Sequence, residues 1–269
     1  MRADLCFHMM KSLSVLTDIQ KKLLHLEEKY ELREEIGAGS YGKVYLGIRK
    51  ADGKRFAIKL TYSVVNNDVP GYPKPLPNEV AMMIIARDPP SPLFIKLHEW
   101  FLVKEKKLAD GKVEKTIMLV MEYLATCKTL EDFLEEHQHL EERDARSLIL
   151  QIVKAAQQCL RREICHCDIH DCNILVIRPP LHIKLIDFGL GKRIFHDPEK
   201  YPPDTRISPK DAVKTTVNQL YFIMSDIARR CSSTPADFRT FINACYTIDD
   251  DTKIQHTVEQ ILDQPWLRN

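Results

Sequence analysis

Cys165-His166-Cys167-Asp168-Ile169-His170-Asp171-Cys172-Asn173-Ile174-Leu175-Val176 concentrates ionisable side chains ahead of an apolar run, and Lys184-Leu185-Ile186-Asp187-Phe188-Gly189 follows downstream of it. Asp187 lies fourteen residues beyond Asn173 and follows an apolar strand pattern. Taken singly, Asp168 and Asp187 read as ordinary loop carboxylates. Their placement relative to Asn173 and Gly189 reverses that reading.

Upstream, Ile36-Gly37-Ala38-Gly39-Ser40-Tyr41-Gly42-Lys43-Val44 carries three spaced glycines. A dinucleotide fingerprint runs from a strand into a helix, whereas here alternating apolar residues on both sides predict two antiparallel strands. Gly37, Gly39 and Gly42 let the backbone approach phosphate oxygens with no Cβ in the way. Phe56-Ala57-Ile58-Lys59 then sets a lysine on an apolar strand. Most lysines snorkel to water; apolar flanks would instead hold this ammonium where it can pair with α- and β-phosphates. A buried cation needs a counter-charge, and Glu79, at the start of the short helical pattern 79–87, is the candidate.

Glycine loop, Ala-Ile-Lys lysine, helix glutamate, His-x-Asp-x-x-x-x-Asn and Asp-Phe-Gly, in that order, resemble the protein-kinase signature set. The resemblance spans residues 30–267. Within the superfamily the chain looks most like Pim-type enzymes of the calmodulin-kinase group, in segments 76–82 (LPNEVAM), 94–101 (FIKLHEWF), 144–153 (DARSLILQIV) and 257–266. The resemblance implies a serine/threonine protein kinase that moves the γ-phosphate of ATP to protein hydroxyls. In that reading Asp168 accepts a hydrogen bond from the substrate hydroxyl, and Asn173 and Asp187 hold Mg²⁺. Lys59, held by Glu79, positions the phosphates, and His170 stands where lysine usually meets the γ-phosphate. Ile36, the three glycines, Val44 and Ala57 would cover the nucleotide; Met121 is the gatekeeper position, with Glu122 and Leu124 in the hinge.

The periodicity agrees with an α+β, two-lobed organisation and a cleft between the lobes. Segments 30–36, 43–49, 55–61, 95–103 and 116–123 alternate as strands, 66–77 reads as a loop, and 165–212 as largely irregular. Segments 130–137 and 142–159 have helical spacing, with Glu141 and Glu142 where the helix dipole favours them. The expected boundaries are an N-terminal extension at 1–29, with an amphipathic helix built on Leu13, Leu16, Ile19, Leu23 and Leu26, and a kinase domain at 30–267. The domain divides into an N-lobe (30–121), a hinge (122–128) and a shortened C-lobe (129–267).

Bulk properties fit that class. The chain has 269 residues, 44% hydrophobic and 29% charged, with 39 basic and 38 acidic residues. A net charge of +1 argues against a broad basic field for nucleic acid or a membrane surface. Eight cysteines, with no leader pattern and no apolar run of membrane-spanning length, read as reduced thiols in a cytoplasmic or nuclear protein. Protein substrates and a monomer are the expected partners and state.

The chain also departs from the family pattern. Cys167 replaces the arginine that pairs with a phosphorylated activation loop, which implies activity without that phosphorylation. His170 makes a fixed positive charge a pH-dependent one. Ser208-Pro209-Lys210-Asp211 carries aspartate where the family has glutamate, and the matching arginine near 254–256 is missing as well. The Asp-Trp that begins the next long helix is replaced by Thr216-Val217-Asn218-Gln219-Leu220. A pseudokinase scaffold with little transfer activity therefore stays open as a second class, and a small-molecule kinase as a third. Cys165, His166, Cys167, His170 and Cys172 supply zinc-ligand types at too tight a spacing for a usual structural site; oxidation of Cys167 or Cys172 is the greater expected liability. Asp132 and Asp171 are the candidate acids for basic Ser/Thr substrate sites.

Overall fold

The computed structural model describes residues 27–39, 42–195, 203–245 and 256–268. The expected N-terminal amphipathic helix lies almost wholly outside them, as do Ser40 and Tyr41 at the tip of the glycine stretch. The chain is α+β and forms two compact units: Met1–Val64 with His98–Tyr123, and Val65–Leu97 with Leu124–Asn269.

In the first unit, β1 (Tyr30–Gly39), β2 (Gly42–Arg49) and β3 (Arg55–Ser63) form an antiparallel meander. Alternation along β3 explains its place. Phe56 and Ile58 face a buried cluster with Tyr30, Met118 and Val120, and Leu60 packs at its edge. Tyr30 and Phe56 meet edge to face with ring centroids 5.6 Å apart, the arrangement aromatic quadrupoles favour. Ala57, Lys59 and Thr61 therefore share the opposite side of the strand. The strands of the glycine hairpin extend further than the residue pattern indicates, as far as the Gly39–Gly42 pair.

The 66–77 stretch, expected as a loop, holds a small antiparallel ladder of β4 (Asn66–Asn67) and β5 (Leu76–Pro77). It feeds α1 (Asn78–Ala86), whose residues are buried except Ile85. This helix belongs to the second unit, although the residue pattern assigns 65–97 to the first lobe. The physical reason is local: Asn78 bonds the backbone of Gly189 and Gly191, and the Phe94 backbone bridges to Leu185.

The chain then returns to the first unit through β6 (Leu97–Lys107) and β7 (Val113–Glu122), giving a five-stranded sheet in the order β1-β2-β3-β7-β6. Gly111, at φ 84°, closes the turn between them.

In the second unit, β8 (Cys127–Thr129) leads into α2 (Leu130–Glu136), capped by Thr129 Oγ1 accepting from the Asp132 amide at 3.0 Å. Helix α3 (Glu142–Arg161) buries Leu148, Ile149, Ile152, Val153 and Ala156 at helical spacing. Short strands occupy the stretch expected to be irregular: β9 (Ile164–Cys165), the β10 (Ile174–Ile177) and β11 (His182–Leu185) hairpin, β12 (Lys192–Ile194) and β13 (Arg206–Ile207).

Helix α4 starts earlier than the pattern suggests and runs unbroken through Pro209–Arg230. Ser208 Oγ accepts from the Asp211 amide at 3.1 Å, with proline in the first turn where no amide is needed. Helices α5 (Ala236–Ala244), α6 (Val258–Leu262) and α7 (Pro265–Arg268) complete the unit. Trp266 closes it, with its indole nitrogen donating to Glu142 Oε1 at 3.0 Å and its ring 4.7 Å from Phe238. No described helix is long and apolar enough to cross a membrane.

Candidate active site

The first unit gathers the nucleotide-side candidates by register. Val44 lies opposite Lys59, Ala57 opposite Met121, and Lys59 opposite Leu119. Residues directly opposed in an antiparallel pair project to the same face, so Val44, Ala57, Lys59 and Met121 share one side of the sheet. Lys59 is buried. Glu122 ends β7 opposite Phe56, and Leu124 begins the second unit.

The glycines of the hairpin differ in why they are glycine. A Cβ on Gly42 would sit 2.1 Å from the Leu60 carbonyl oxygen, so pairing with β3 alone excludes a side chain there. A Cβ on Gly39 would meet nothing within 4 Å, and one on Gly37 only the Val44 side chain at 3.9 Å. The fold does not demand glycine at those two positions. Ile36 is exposed on β1.

In the second unit, Asp168, His170 and Asn173 converge. Asn173 Nδ2 donates to Asp168 Oδ2 at 2.8 Å and to the Asp168 carbonyl at 3.0 Å, and lies 2.9 Å from His170 Nε2. The two amide hydrogens go to the Asp168 oxygens, and the His170 ring packs against the same nitrogen. His170 Nε2 is 3.6 Å from Asp168 Oδ2.

Behind them, His166 is buried and accepts from the Asp168 amide at Nδ1 (3.3 Å), while Nε2 donates to the Ile186 carbonyl at 3.0 Å. One donor and one acceptor fit the neutral imidazole, and burial pushes its pKa down to about 4. His166 is thereby committed to the loop and is no metal ligand.

The backbone bends sharply at both acids. Cys167 has φ 63° and Asp187 has φ 58°, conformations that non-glycine residues adopt at a cost and that collect at functional sites. Asp187 Oδ1 accepts from the Gly189 amide at 3.2 Å. A Cβ on Gly189 would lie 3.1 Å from that oxygen and 3.6 Å from Glu79 Oε2. Gly189 thus leaves room for the Glu79 carboxylate beside the Asp187 turn. Glu79 is the second residue of α1 rather than the first, and is buried.

Two supporting residues escape motif reading. Asn78 donates to the carbonyls of Gly189 (2.7 Å) and Gly191 (3.0 Å), tying the turn after Asp187 to α1. Gln219 on α4 accepts from the Ile169 amide at 3.2 Å and holds the catalytic loop from below. Asn78 adjoins Glu79, a weak signal, whereas Gln219 has none.

The two thiols beside Asp168 are held toward their protonated form. A hydrogen bond donated to Cys165, with burial, pushes the Cys167 thiol up, and burial with Glu131 and Asp171 nearby pushes Cys172 up to about 12. Oxidation proceeds through the thiolate, and at both thiols these shifts oppose that form.

The family model for the protein kinase domain matches residues 30–209, ending where α4 begins. The chain is 28% identical to serine/threonine-protein kinase pim-2 of Danio rerio, over 90% of this chain and 86% of that one. It is 25% identical to serine/threonine-protein kinase prk-2 of Caenorhabditis elegans, over 90% of this chain and 59% of that one. Identity to cyclin-dependent kinase B2-2 of Arabidopsis thaliana is 29%, over 65% of this chain and 53% of that one. The matched stretches span a little over half the length of these last two relatives.

Proposed function

The chain belongs to the protein kinase family and is a protein serine/threonine kinase, and we propose that it transfers the γ-phosphate of ATP to protein hydroxyls through Asp168, without needing a phosphorylated activation loop. The observation that carries this reading is the double hydrogen bond from Asn173 Nδ2 to Asp168. It occupies Asp168 Oδ2 and leaves Oδ1 to accept the proton of an incoming serine or threonine hydroxyl.

With Nδ2 so engaged, Asn173 keeps its Oδ1 as an oxygen donor, and Asp187 adds a carboxylate. This all-oxygen pair suits Mg²⁺, a hard cation. When bound, Mg²⁺ would supply charge neutralisation for the phosphates. The chain's own residues do the rest. Lys59 offers a fixed positive charge to phosphate oxygens, and Gly37 and Gly39 let backbone amides approach them. Val44, Ala57 and Met121 give adenine an apolar surface, and backbone groups around Glu122 and Leu124 its polar contacts. His170 stands near the attacked phosphate in place of a permanent cation.

Independence from loop phosphorylation rests on Cys167, a protonated thiol where a guanidinium would clamp a phosphate. Asp171 and Asp132 favour a basic residue near the target hydroxyl.

Purified chain with Mg²⁺, labelled ATP and a basic serine peptide tests the core of this reading beside Asp168→Asn. Transfer that vanishes in the variant supports it; no transfer by the wild type, despite stabilisation by ATP, makes the chain a scaffold. Phosphatase pretreatment tests the second part and should leave the rate unchanged. A loss would redirect attention to Arg193 and Arg206, neighbours across β12 and β13, whose Nε and Nη1 are buried without a hydrogen-bond partner among the described residues.

A further inference from the structure

His170, Asp171 and Cys172 bring an imidazole nitrogen, a carboxylate oxygen and a sulfur within 4.8 Å of one another. The cause is local. His170 is extended and Asp171–Asn173 is a single 3-10 turn, and at this junction the three consecutive side chains bring their ligand atoms together. His170 Nδ1 lies 3.6 Å from Asp171 Oδ1, and Cys172 Sγ lies 3.8 Å from the same oxygen. Glu131 Oε2, from α2, is 3.1 Å from that sulfur.

Those separations can be set against a metal polyhedron. Zinc binds nitrogen and oxygen at about 2.0 Å and sulfur at about 2.3 Å, so its tetrahedral ligands lie roughly 3.3–3.5 Å from one another. The Asp171 oxygen is within a few tenths of an ångström of that spacing from both the His170 nitrogen and the Cys172 sulfur, and the nitrogen and sulfur, within 4.8 Å of each other, close the rest by side-chain rotation. We propose that His170, Asp171 and Cys172, with Glu131 or a water in the fourth position, form a binding site for a borderline-soft divalent cation of the zinc class, and that occupancy slows phosphate transfer.

Nitrogen and sulfur donors select against Mg²⁺, which the all-oxygen pair Asn173 and Asp187 suits. The two cations would therefore occupy adjacent places without competing for the same ligands. The carboxylates of Glu131 and Asp171, 3.1 Å and 3.8 Å from the Cys172 sulfur, also attract a dication. As the metal–sulfur bond forms, the thiol proton leaves to solvent and the local charge balance inverts.

The effect on transfer follows from the two ends of one ring. His170 Nδ1 faces Asp171, while Nε2 faces Asn173 and Asp168. A metal at Nδ1 would fix the ring and place a competing positive charge beside the phosphate path. This consequence rests on the role of His170 proposed above; the binding site itself does not.

Reduced, full-length chain titrated with Co²⁺ gives a readout that requires no turnover. One equivalent should produce a sulfur-to-cobalt charge-transfer band that Zn²⁺ displaces. Cys172→Ser should remove the band and weaken Zn²⁺ by at least about tenfold, the loss seen even for outer-shell partners, and Asp171→Asn should weaken it independently. In assays with saturating Mg²⁺ and ATP, Zn²⁺ should inhibit the wild type but leave Cys172→Ser unaffected at the same concentration. Absence of a band overturns the site, as does a band that survives Cys172→Ser and disappears in Cys165→Ser. A band lost in Cys172→Ser without inhibition of the wild type overturns the coupling to His170.

Discussion

Asn78 holds Gly189 through a 2.7 Å hydrogen bond from its side-chain amide to the glycine carbonyl, while its own side-chain oxygen accepts from Asn67 Nδ2 at 2.5 Å. The amide joins the first residue of α1 to the turn after Asp187, and the residues involved are far apart in sequence. Glu79, one position on, is carried by the same helix turn, so the placement of one carboxylate depends on an amide that does no chemistry.

Asn78→Ala should cost about 2–3 kcal/mol, because it leaves two carbonyls and the Asn67 amide short of partners in a buried setting. The turn carrying Asp187 should loosen with it, so kcat should fall further than the loss of folded protein explains. Urea unfolding and single-turnover transfer check both parts. Wild-type stability in the variant would remove Asn78 from its positioning role.

Gly39 and Gly42 should separate cleanly. Gly42→Ala pushes a methyl group onto the Leu60 carbonyl and should destabilise the chain by about 1–3 kcal/mol, the usual cost of overpacking. Gly39→Ala meets open space and should stay within about 0.5 kcal/mol of the wild type, while raising KM for ATP because the methyl group keeps the backbone from the phosphates. Thermal melts and ATP-dependent kinetics measure the pair. An unchanged KM in Gly39→Ala would sink the phosphate-lid reading of the hairpin.

What the residues disclosed in advance was whatever is written locally. The alternation of Phe56, Ile58 and Leu60 against Ala57, Lys59 and Thr61 gave β3 its two faces, and the order of the motifs gave the family. Asn78 and Gln219 were illegible because their partners lie 111 and 50 residues away, and an amide carries no mark of what it will bond. Ser208-Pro209 shows a different failure. It carried a helix-start signature, a capping serine before proline, but its likeness to the end of an activation segment drew the reading elsewhere. Helix α4 begins there and supplies Gln219 to the catalytic loop, so the departure from the family pattern at Ser208–Asp211 is part of how the loop is held. The Cys172 cluster depends on a single 3-10 turn that periodicity does not reveal.

His170→Lys should raise kcat several-fold. The native imidazole packs against Asn173 Nδ2, whereas lysine would bring a permanent charge to the transferring phosphate. KM for peptide should change little, since the charge acts on the phosphate rather than on docking. Steady-state kinetics with a single peptide test this. A fall in kcat would show that the histidine positions Asp168 and Asn173 instead of standing in for a missing cation.

His166 should make folding sensitive to mild acid. Burial holds its folded pKa at about 4, below the ordinary 6.5, so between those values the unfolded chain binds a proton that the folded chain refuses. Stability from this group is therefore complete above pH 6.5 and declines as pH falls toward 4. The total is roughly 3 kcal/mol by linkage. His166→Asn, which cannot take up a proton in either state, should be less stable at pH 7 but should lose less on going from pH 7 to pH 5. Urea unfolding of both proteins at the two pH values decides the matter. Parallel losses would mean that groups other than His166 set the acid sensitivity.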